Sequence, residues 1–288
     1  MDDRARREQN RLSWNAVAPA HQSHRPTVAA FLRAGGLTLF PEERALLGEL
    51  RDQRLLHLLC NAGHDSLSLA ALGAEVTGVD ISDAAIAAAQ ALAAEVGSAA
   101  RFERADVYDY LAAAQARGER FTRIYCGYGV LCWLPNLLAF ATNLAALLAP
   151  GGRFVLMEFH PVSNMLDRHW SLAHDYPQGG ALLALDGVGD YVGSSGEGLA
   201  PGGFAEGLRD FINPHQCYLY RWSLGELISA LAAADLRIMA LNEYCYLNGE
   251  QPFAAMRVGA GHRMYPPTGT PAIPLMYGVA AEKTAVSG

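Results

Sequence analysis

The stretch between Leu55 and Asp80 decides the fold, because two apolar segments in it flank a tight turn and a helix. Residues 55–65 read LLHLLCNAGHD, and residues 75–80 read EVTGVD. The pattern predicts a buried strand, a turn at Gly63, a helix, and a second strand that ends in the carboxylate of Asp80. Such a unit is typical of sites for adenosine-containing cofactors, since backbone N–H groups of the turn can approach the ligand and the carboxylate can accept both ribose hydroxyls.

The composition narrows the possible classes of protein. The chain has 288 residues, 51% of them hydrophobic, and a net charge of −7. This length suits one large domain or one domain with an added cap, and the negative charge argues against a nucleic-acid partner. The five cysteines are scattered without a C-x-x-C pair, so we predict neither a disulfide framework nor a metal site. The sequence shows no signal-peptide pattern and no apolar run of about eighteen residues, and we expect a cytoplasmic protein with no membrane partner.

Strands and helices alternate after residue 50. Five short segments predict strands at 55–59, 75–79, 101–104, 123–126 and 154–159, the first of them continuously apolar. With helices between most of them, this series predicts an α/β fold in which a parallel sheet carries helices on both faces. Two later strands, at 237–243 and 274–281, follow each other without a helical crossover and should pair antiparallel.

Three regions differ in pattern. Residues 1–50 look helical, with an interruption at Pro19, and we expect them to form a lid. Residues 51–160 and 215–288 hold the alternating elements of the predicted core. Residues 161–214 are rich in Gly, Pro, Tyr and Asp, and they are too long for an ordinary connection. We interpret them as a substrate cap inserted over the carboxyl edge of the sheet.

The motifs, in their order, resemble those of the class I S-adenosylmethionine-dependent methyltransferases over roughly residues 50–160 and 215–283. The segments similar to the family's first four motifs are HLLCNAGHDSLSLA, VTGVDIS, RADVYDY and CGYGVLCWLP. LAPGGRFVLMEFHP is similar to the family's turn and fifth strand, and RWSLGELISALAAADLRIMALNEY resembles the helix and sixth strand of small-molecule members. The resemblance implies a Rossmann-like, doubly wound sheet of seven strands with an antiparallel last strand.

The first motif departs from the family at three positions. The family usually has an acid where this chain has His57, and glycines where it has Leu59 and Asn61. Asparagine enters left-handed conformations more readily than other non-glycine residues, so we predict a positive φ at Asn61. The acid missing at position 57 is a common support for the cofactor's amino group. We therefore expect either a modified cofactor pose or replacement contacts from the N-terminal helices.

The resemblance also implies how S-adenosylmethionine is bound. Asp80 would hold the ribose, Asp106 would contact the adenine amino group, and Val107 would pack on the adenine ring. Gly127 lies at the carboxyl end of the fourth strand, where open α/β sheets bind ligands. The predicted cofactor-binding residues are Cys60, Asn61, Gly63, Asp65, Asp80, Ile81, Asp106, Val107 and Gly127.

Two further residues are candidates for catalysis. His160 directly follows the fifth strand, where a neutral imidazole could take a proton from a hydroxyl or amine; the alternative is a structural histidine held by its loop. Tyr128, beside Gly127, would face the cleft or pack in the core. The predicted lid and substrate residues are Trp14, His21, His24 and Tyr176.

The expected activity is methylation of an oxygen or nitrogen atom of a small molecule, because an irregular cap suits a specialised metabolite better than a macromolecule. A second hypothesis keeps the cofactor but consumes it by intramolecular cyclisation or elimination, with release of methylthioadenosine. A nicotinamide-dependent reductase is a third, and the absent G-x-G-x-x-G pattern counts against it. A non-catalytic binding module is the fourth. The sequence specifies neither the acceptor nor the oligomeric state.

Overall fold

The computed structural model of the protein describes residues 1–196 and 201–284. Its strands are β1 (Arg54–Leu58), β2 (Glu75–Asp80), β3 (Arg101–Arg104), β4 (Phe121–Cys126), β5 (Leu148–Phe159), β6 (Ala181–Leu185), β7 (Cys217–Arg221), β8 (Leu236–Tyr244), β9 (Leu247–Asn248), β10 (Arg257–Val258), β11 (Arg263–Tyr265) and β12 (Met276–Lys283). Its α-helices are α1 (Asp3–Ser23), α2 (Val28–Arg33), α3 (Pro41–Leu47), α4 (His64–Ala71), α5 (Asp83–Val96), α6 (Val107–Ala116), α7 (Leu137–Leu147), α8 (Tyr191–Ser195) and α9 (Leu224–Ala233).

Seven strands form the main sheet, in the order β3-β2-β1-β4-β5-β12-β8. The strands from β3 to β5 pair in parallel, whereas β12 lies antiparallel to both β5 and β8. The predicted architecture and the antiparallel pairing of the two late strands are therefore confirmed. The fifth strand starts at Leu148, six residues before the predicted start at Phe154.

Two smaller sheets lie outside the predicted pattern. The strands β6 and β7 pair antiparallel within and just after the predicted cap, and β9, β10 and β11 form a three-stranded sheet in the loop between β8 and β12. These strands are two to five residues long. Segments so short carry little periodicity, and the sequence therefore showed only loops there.

Helix α1 runs without a break from Asp3 to Ser23, so the predicted interruption at Pro19 is wrong. A proline inside a helix removes one backbone hydrogen bond, but α1 packs against α5, β7 and α8 along its length. This packing holds the helix together. Helix α6 was also missed by the sequence analysis; Asp106 caps it, accepting hydrogen bonds from the backbone N–H groups of Tyr108 and Asp109.

The core lies on both faces of the sheet. Alternate residues of the central strands face the two layers, so that Leu56 and Leu58 pack toward α6 and α7, while Leu55 packs toward α3. His57 lies on the same face as Leu55. The carboxyl ends of β1, β2, β4 and β5 then meet at one edge, which α1 covers. In the part of the chain that the structure describes, no helix combines the length and the apolar character needed to cross a membrane.

Candidate active site

The turn between β1 and α4 holds three residues in the left-handed conformation. They are Leu59 with a φ of 52°, Asn61 with 49° and Gly63 with 73°. The positive φ predicted at Asn61 is thus present, and its side-chain Oδ1 accepts a hydrogen bond from the N–H of Ala62 at 2.7 Å. A Cβ on Gly63 would lie 2.6 Å from the ring of Phe102. Glycine is therefore needed there for helix–sheet packing as well as for its φ.

Asp80 ends β2 beside this turn. Its Oδ2 accepts a hydrogen bond from the N–H of Asn61 at 2.8 Å, and its Oδ1 accepts one from the N–H of Ser82 at 2.9 Å. Burial raises the pKa of Asp80, although these hydrogen bonds act in the opposite direction. Each carboxylate oxygen keeps a second lone pair, so the side chain still has room to accept bonds from a ligand.

Asp106 lies at the end of β3, next to Asp80. Besides capping α6, it forms an ion pair with Arg7 of α1. Burial raises the pKa of Asp106, and the Arg7 guanidinium partly offsets that rise. This pair ties the N-terminal helix to the carboxyl edge of the sheet.

One cavity of about 460 Å³ lies across this edge. All nine predicted cofactor-binding residues line it: Cys60, Asn61, Gly63, Asp65, Asp80, Ile81, Asp106, Val107 and Gly127. The elements that bring them together are the turns after β1, β2, β3 and β4. The structure thus gathers the whole predicted set around one space, and their binding of the cofactor stays a prediction.

The roof of the cavity comes from α1 and from the segment before and within α8. Trp14 and His21 line it, as predicted for lid residues, and Tyr191 joins them. The three rings pack edge to face, with centroids 4.4 Å apart for His21 and Tyr191 and 6.4 Å apart for Trp14 and Tyr191. Asn10 fastens α1 to β7, because its Nδ2 donates to the carbonyl of Tyr218 and its Oδ1 accepts a hydrogen bond from the N–H of Tyr218.

Two predicted lid residues lie elsewhere. His24 does not line the cavity; it is buried, its Nε2 lies 2.8 Å from Oδ2 of Asp190, and its ring stacks on Phe204. It joins α1 to the segment that follows the cap's first strand. Tyr176 lies in a separate surface hollow beside Arg221. His24 belongs to the covering helix but its side chain points away from the cavity, and the segment that holds Tyr176 does not line the cavity.

His160 lies outside the cavity lining, contrary to the position expected of a base, and its contacts are those of a structural histidine. It is 4% exposed and is absent from the cavity lining. The N–H of Val162 donates to its Nδ1 at 3.1 Å, and its Nε2 lies 2.9 Å from Oε1 of Glu243. Both ring nitrogens are thus engaged within the protein. The chain turns back toward β12 directly after β5, and this turn directs the imidazole away from the cleft.

Tyr128 does line the cavity. Its hydroxyl accepts a hydrogen bond from Nδ2 of Asn248 at 2.8 Å. Burial and the nearby Glu43 carboxyl raise the pKa of Tyr128. A phenol with a raised pKa keeps its proton at neutral pH, so Tyr128 can position a ligand by hydrogen bonding but does not act as a base.

Several polar residues of the cavity were missed by the sequence analysis, among them Arg25, Glu43, Asn248 and Glu250. Burial, with a further contribution from Glu158, raises the pKa of Glu250 to about 7. Within residues 1–196 and 201–284, its carboxyl makes no hydrogen bond or ion pair. Glu250 belongs to a loop after β8 that returns over the carboxyl edge, and only the polar run Asn-Gly-Glu in a loop rich in Gly and Pro could have indicated it.

A doubly wound seven-stranded sheet with an antiparallel strand, and a cavity across the ends of its first strands, define the class I methyltransferase fold. Residues 56–154, about a third of the chain, match a family model described as "Methyltransferase domain". No curated protein sequence matches the chain. The chain therefore has the fold of the class I methyltransferases, and this segment is similar to a methyltransferase domain, as the motifs predict.

Solved structures of S-adenosylmethionine-dependent methyltransferases share the fold. One from Mesorhizobium loti is 19% identical, with a TM-score of 0.51, and covers 86% of this chain and 99% of its own. One from Methanosarcina mazei is 16% identical, with a TM-score of 0.52 and coverages of 85% and 98%. One from Clostridium acetobutylicum is 11% identical, with a TM-score of 0.53 and coverages of 90% and 92%. At such identities the likeness concerns the fold.

Proposed function

We propose that the protein methylates an oxygen or nitrogen atom of a small molecule that binds in the cavity beside the cosubstrate. The observation that carries this proposal is that one cavity joins the predicted cofactor-binding residues to a second, mainly apolar wall. That wall consists of Phe40, Val130, Trp133, Phe159, Val192 and Leu219. The volume of about 460 Å³ lies within the range of small-molecule sites. The roof of α1 and α8 leaves little access for a macromolecule.

The residues on one side of the cavity fit S-adenosylmethionine. Asp80 offers free lone pairs for the ribose hydroxyls, and Asp106 offers them for the adenine amino group, with Val107 beside it. The left-handed turn at Leu59, Asn61 and Gly63 supplies a closely approachable backbone. These assignments follow the resemblance, and the shared cavity supports them.

The other side holds the groups that would act on the acceptor. Bound S-adenosylmethionine supplies a methyl group activated by its sulfonium. The main tasks of the protein are to align the acceptor atom with that methyl group and to exclude water. Glu250, whose pKa is about 7 and whose carboxyl has no bonding partner among the described residues, is our candidate to accept the proton of a hydroxyl or ammonium acceptor. Tyr128 would orient that acceptor through its hydroxyl.

The N-terminal region and the inserted segment together would form the lid. Ser13 of α1 accepts a hydrogen bond from the N–H of Val188 at 2.9 Å, and Asn213 donates one to the carbonyl of Ser13 at 2.9 Å. These hydrogen bonds join helix α1 of the predicted lid to the predicted cap, so that the two segments would cover the cavity together. Residues 161–180 of the predicted cap do not line the cavity, so only its second half, from about Val188 on, would cover the substrate.

The test is to incubate the purified protein with S-adenosylmethionine, alone and with panels of phenols, alcohols and amines, and to measure products by mass spectrometry. We expect S-adenosylhomocysteine and a methylated acceptor that form together. Methylthioadenosine released without an acceptor would instead support cyclisation or elimination. Binding of S-adenosylhomocysteine without turnover of any panel member would favour a binding module.

A further inference from the structure

Arg25 is a partly buried cation that lines the cavity without a carboxylate bound to it. In the described parts of the chain, no carboxylate oxygen lies within the 4.0 Å of an ion pair, and its guanidinium makes no hydrogen bond. Burial lowers the pKa of Arg25, and Tyr191 and Asp65 only partly offset this. Withdrawing part of a guanidinium from water without a counter-charge is costly, so an anionic ligand beside Arg25 would be favourable.

Two acids line the same cavity and lack a bound cation. Glu43 is 1% exposed and accepts a hydrogen bond from the N–H of Phe40 at 2.8 Å. Asp65 accepts one from Oγ1 of Thr38 at 2.5 Å. Burial raises the pKa of both, and the nearness of Asp65 raises that of Glu43 further. No lysine or arginine among residues 1–196 and 201–284 forms an ion pair with either one.

Two unsatisfied polar atoms border the same region. Oδ1 of Asn248, a residue only 4% exposed, has no donor in the described structure, while its Nδ2 donates to Tyr128 beside Glu43. Nε2 of His64, which lies near Arg25, has no partner there either. The region therefore offers an unused hydrogen-bond acceptor, Oδ1 of Asn248, near the acids and an unused ring nitrogen of His64 near Arg25.

The first strand does not supply an acid here. His57 occupies the position where the resembled family has one, and its Nδ1 lies 2.8 Å from Oγ of Ser66. Burial lowers the pKa of His57 to about 3, so the imidazole is neutral at neutral pH. A neutral ring that is bonded inside the core does not pair with an ammonium group.

We propose that Arg25 binds the carboxylate of the methionyl end of S-adenosylmethionine, and that Glu43 and Asp65, with Asn248, bind its ammonium group. The assignment rests on the proposed function. A zwitterion brings one charge of each sign, and it satisfies the lone cation and the lone acids together. The carboxylate would also lie at the N-terminus of α4, next to His64, where the helix dipole favours an anion. The acid that the family places on β1 is thus replaced from α3 and α4.

Four ligands separate the contributions of the two charges. They are S-adenosylhomocysteine, its decarboxylated form with an aminopropyl chain, its deaminated form with a carboxypropyl chain, and 5′-methylthioadenosine, which lacks both groups. Isothermal titration calorimetry measures each dissociation constant. For the wild-type protein we expect S-adenosylhomocysteine to bind about tenfold or more tightly than either singly charged form. This comparison needs no variant.

Variants then assign the residues. Arg25→Gln should weaken S-adenosylhomocysteine and the carboxypropyl form about tenfold or more and leave the aminopropyl form and methylthioadenosine unchanged. Glu43→Gln should weaken S-adenosylhomocysteine and the aminopropyl form and spare the other two. Arg33→Gln and Glu49→Gln serve as controls, because they change exposed charges within residues 1–50.

The outcomes distinguish this assignment from the proposed function. If the wild-type protein binds S-adenosylhomocysteine but Arg25→Gln and Glu43→Gln bind all four ligands as the wild type does, the assignment is wrong and the function stands. Equal losses for all four ligands would also overturn it, since they indicate damage to the cavity as a whole. No binding of any ligand by the wild type would overturn the proposed function itself.

Discussion

The backbone N–H of Asn61 donates a 2.8 Å hydrogen bond to the carboxylate of Asp80, and this bond joins the turn after β1 to the end of β2. The same carboxylate accepts the N–H of Ser82, which caps α5. Two strands, a turn and a helix thus meet at one side chain. Because the turn is fixed before any ligand arrives, the entropic cost of ordering it does not reduce the binding affinity.

Asp80→Ala should weaken S-adenosylhomocysteine binding and also lower the melting temperature. The ligand loses charge-assisted hydrogen bonds, for which we expect about 1.5–3 kcal/mol of binding free energy. The turn loses its anchor at Asn61, so the variant is not structurally silent. Calorimetry gives the affinity and a thermal melt gives the stability. Asp83→Ala is the matched control, since Asp83 is half-exposed and does not line the cavity. An unchanged affinity in Asp80→Ala would remove the residue from the site.

Asn61→Val should lower both stability and S-adenosylhomocysteine affinity more than Asn61→Gly does. At a φ of 49° a β-branched side chain is strained by about 1–2 kcal/mol, whereas glycine adopts this conformation freely. Both variants lose the hydrogen bond that the N–H of Ala62 donates to Oδ1 of Asn61. The difference in stability and affinity between the two variants therefore isolates the backbone effect. Melting temperature and calorimetry measure it. Equal behaviour of the two variants would mean that the turn relaxes without cost.

The sequence predicted those features of the fold and of the site that follow from a local sequence pattern. Five parallel strands, the turn at Asn61 and the carboxylates of Asp80 and Asp106 each follow from a few neighbouring residues. All of them lie at strand ends, and the sheet topology itself brings strand ends together. That is why a set of residues spread from Cys60 to Gly127 lines one cavity.

The sequence missed residues whose position in space depends on the path by which a loop returns to the cavity. Arg25 comes from the turn between α1 and α2, Glu43 from the short helix α3, and Glu250 from a loop between β8 and β12. No local pattern tells where such a loop ends in space. His160 shows the converse: it directly follows a strand, yet the chain bends and its ring bonds to Glu243. Position at a strand end predicts the edge of the sheet but not the direction of the side chain.

His160→Gln should lower stability and leave S-adenosylhomocysteine affinity within about twofold. The imidazole accepts from Val162 and bonds to Glu243, and glutamine cannot reproduce both bonds with the same geometry. Losing one partly buried bond costs about 0.5–1.5 kcal/mol, which a urea titration resolves. Glu243→Gln removes the partner's charge and should give a smaller loss. A His160→Gln variant with wild-type stability but strongly reduced turnover would restore the catalytic role.

Glu250→Gln should stabilise the ligand-free protein, increasingly so as the pH rises. The pKa of Glu250 is raised from 4.5 to about 7, so the folded state holds this proton more tightly than the unfolded state does. The stability that this provides is fully present below about pH 4.5 and is lost as the pH rises through about 7. Glutamine does not ionise, and the variant escapes that loss of about 1–3 kcal/mol. Melting temperatures should be similar at pH 5, and that of Glu250→Gln should be a few degrees higher at pH 8. Glu103→Gln, at an exposed position, should shift neither value.

With any acceptor that the screen identifies, Glu250→Gln should reduce kcat and remove the rise of kcat with pH near 7, at unchanged affinity for S-adenosylhomocysteine. A stabilised variant with full kcat would show that Glu250 is buried but does not accept the acceptor's proton.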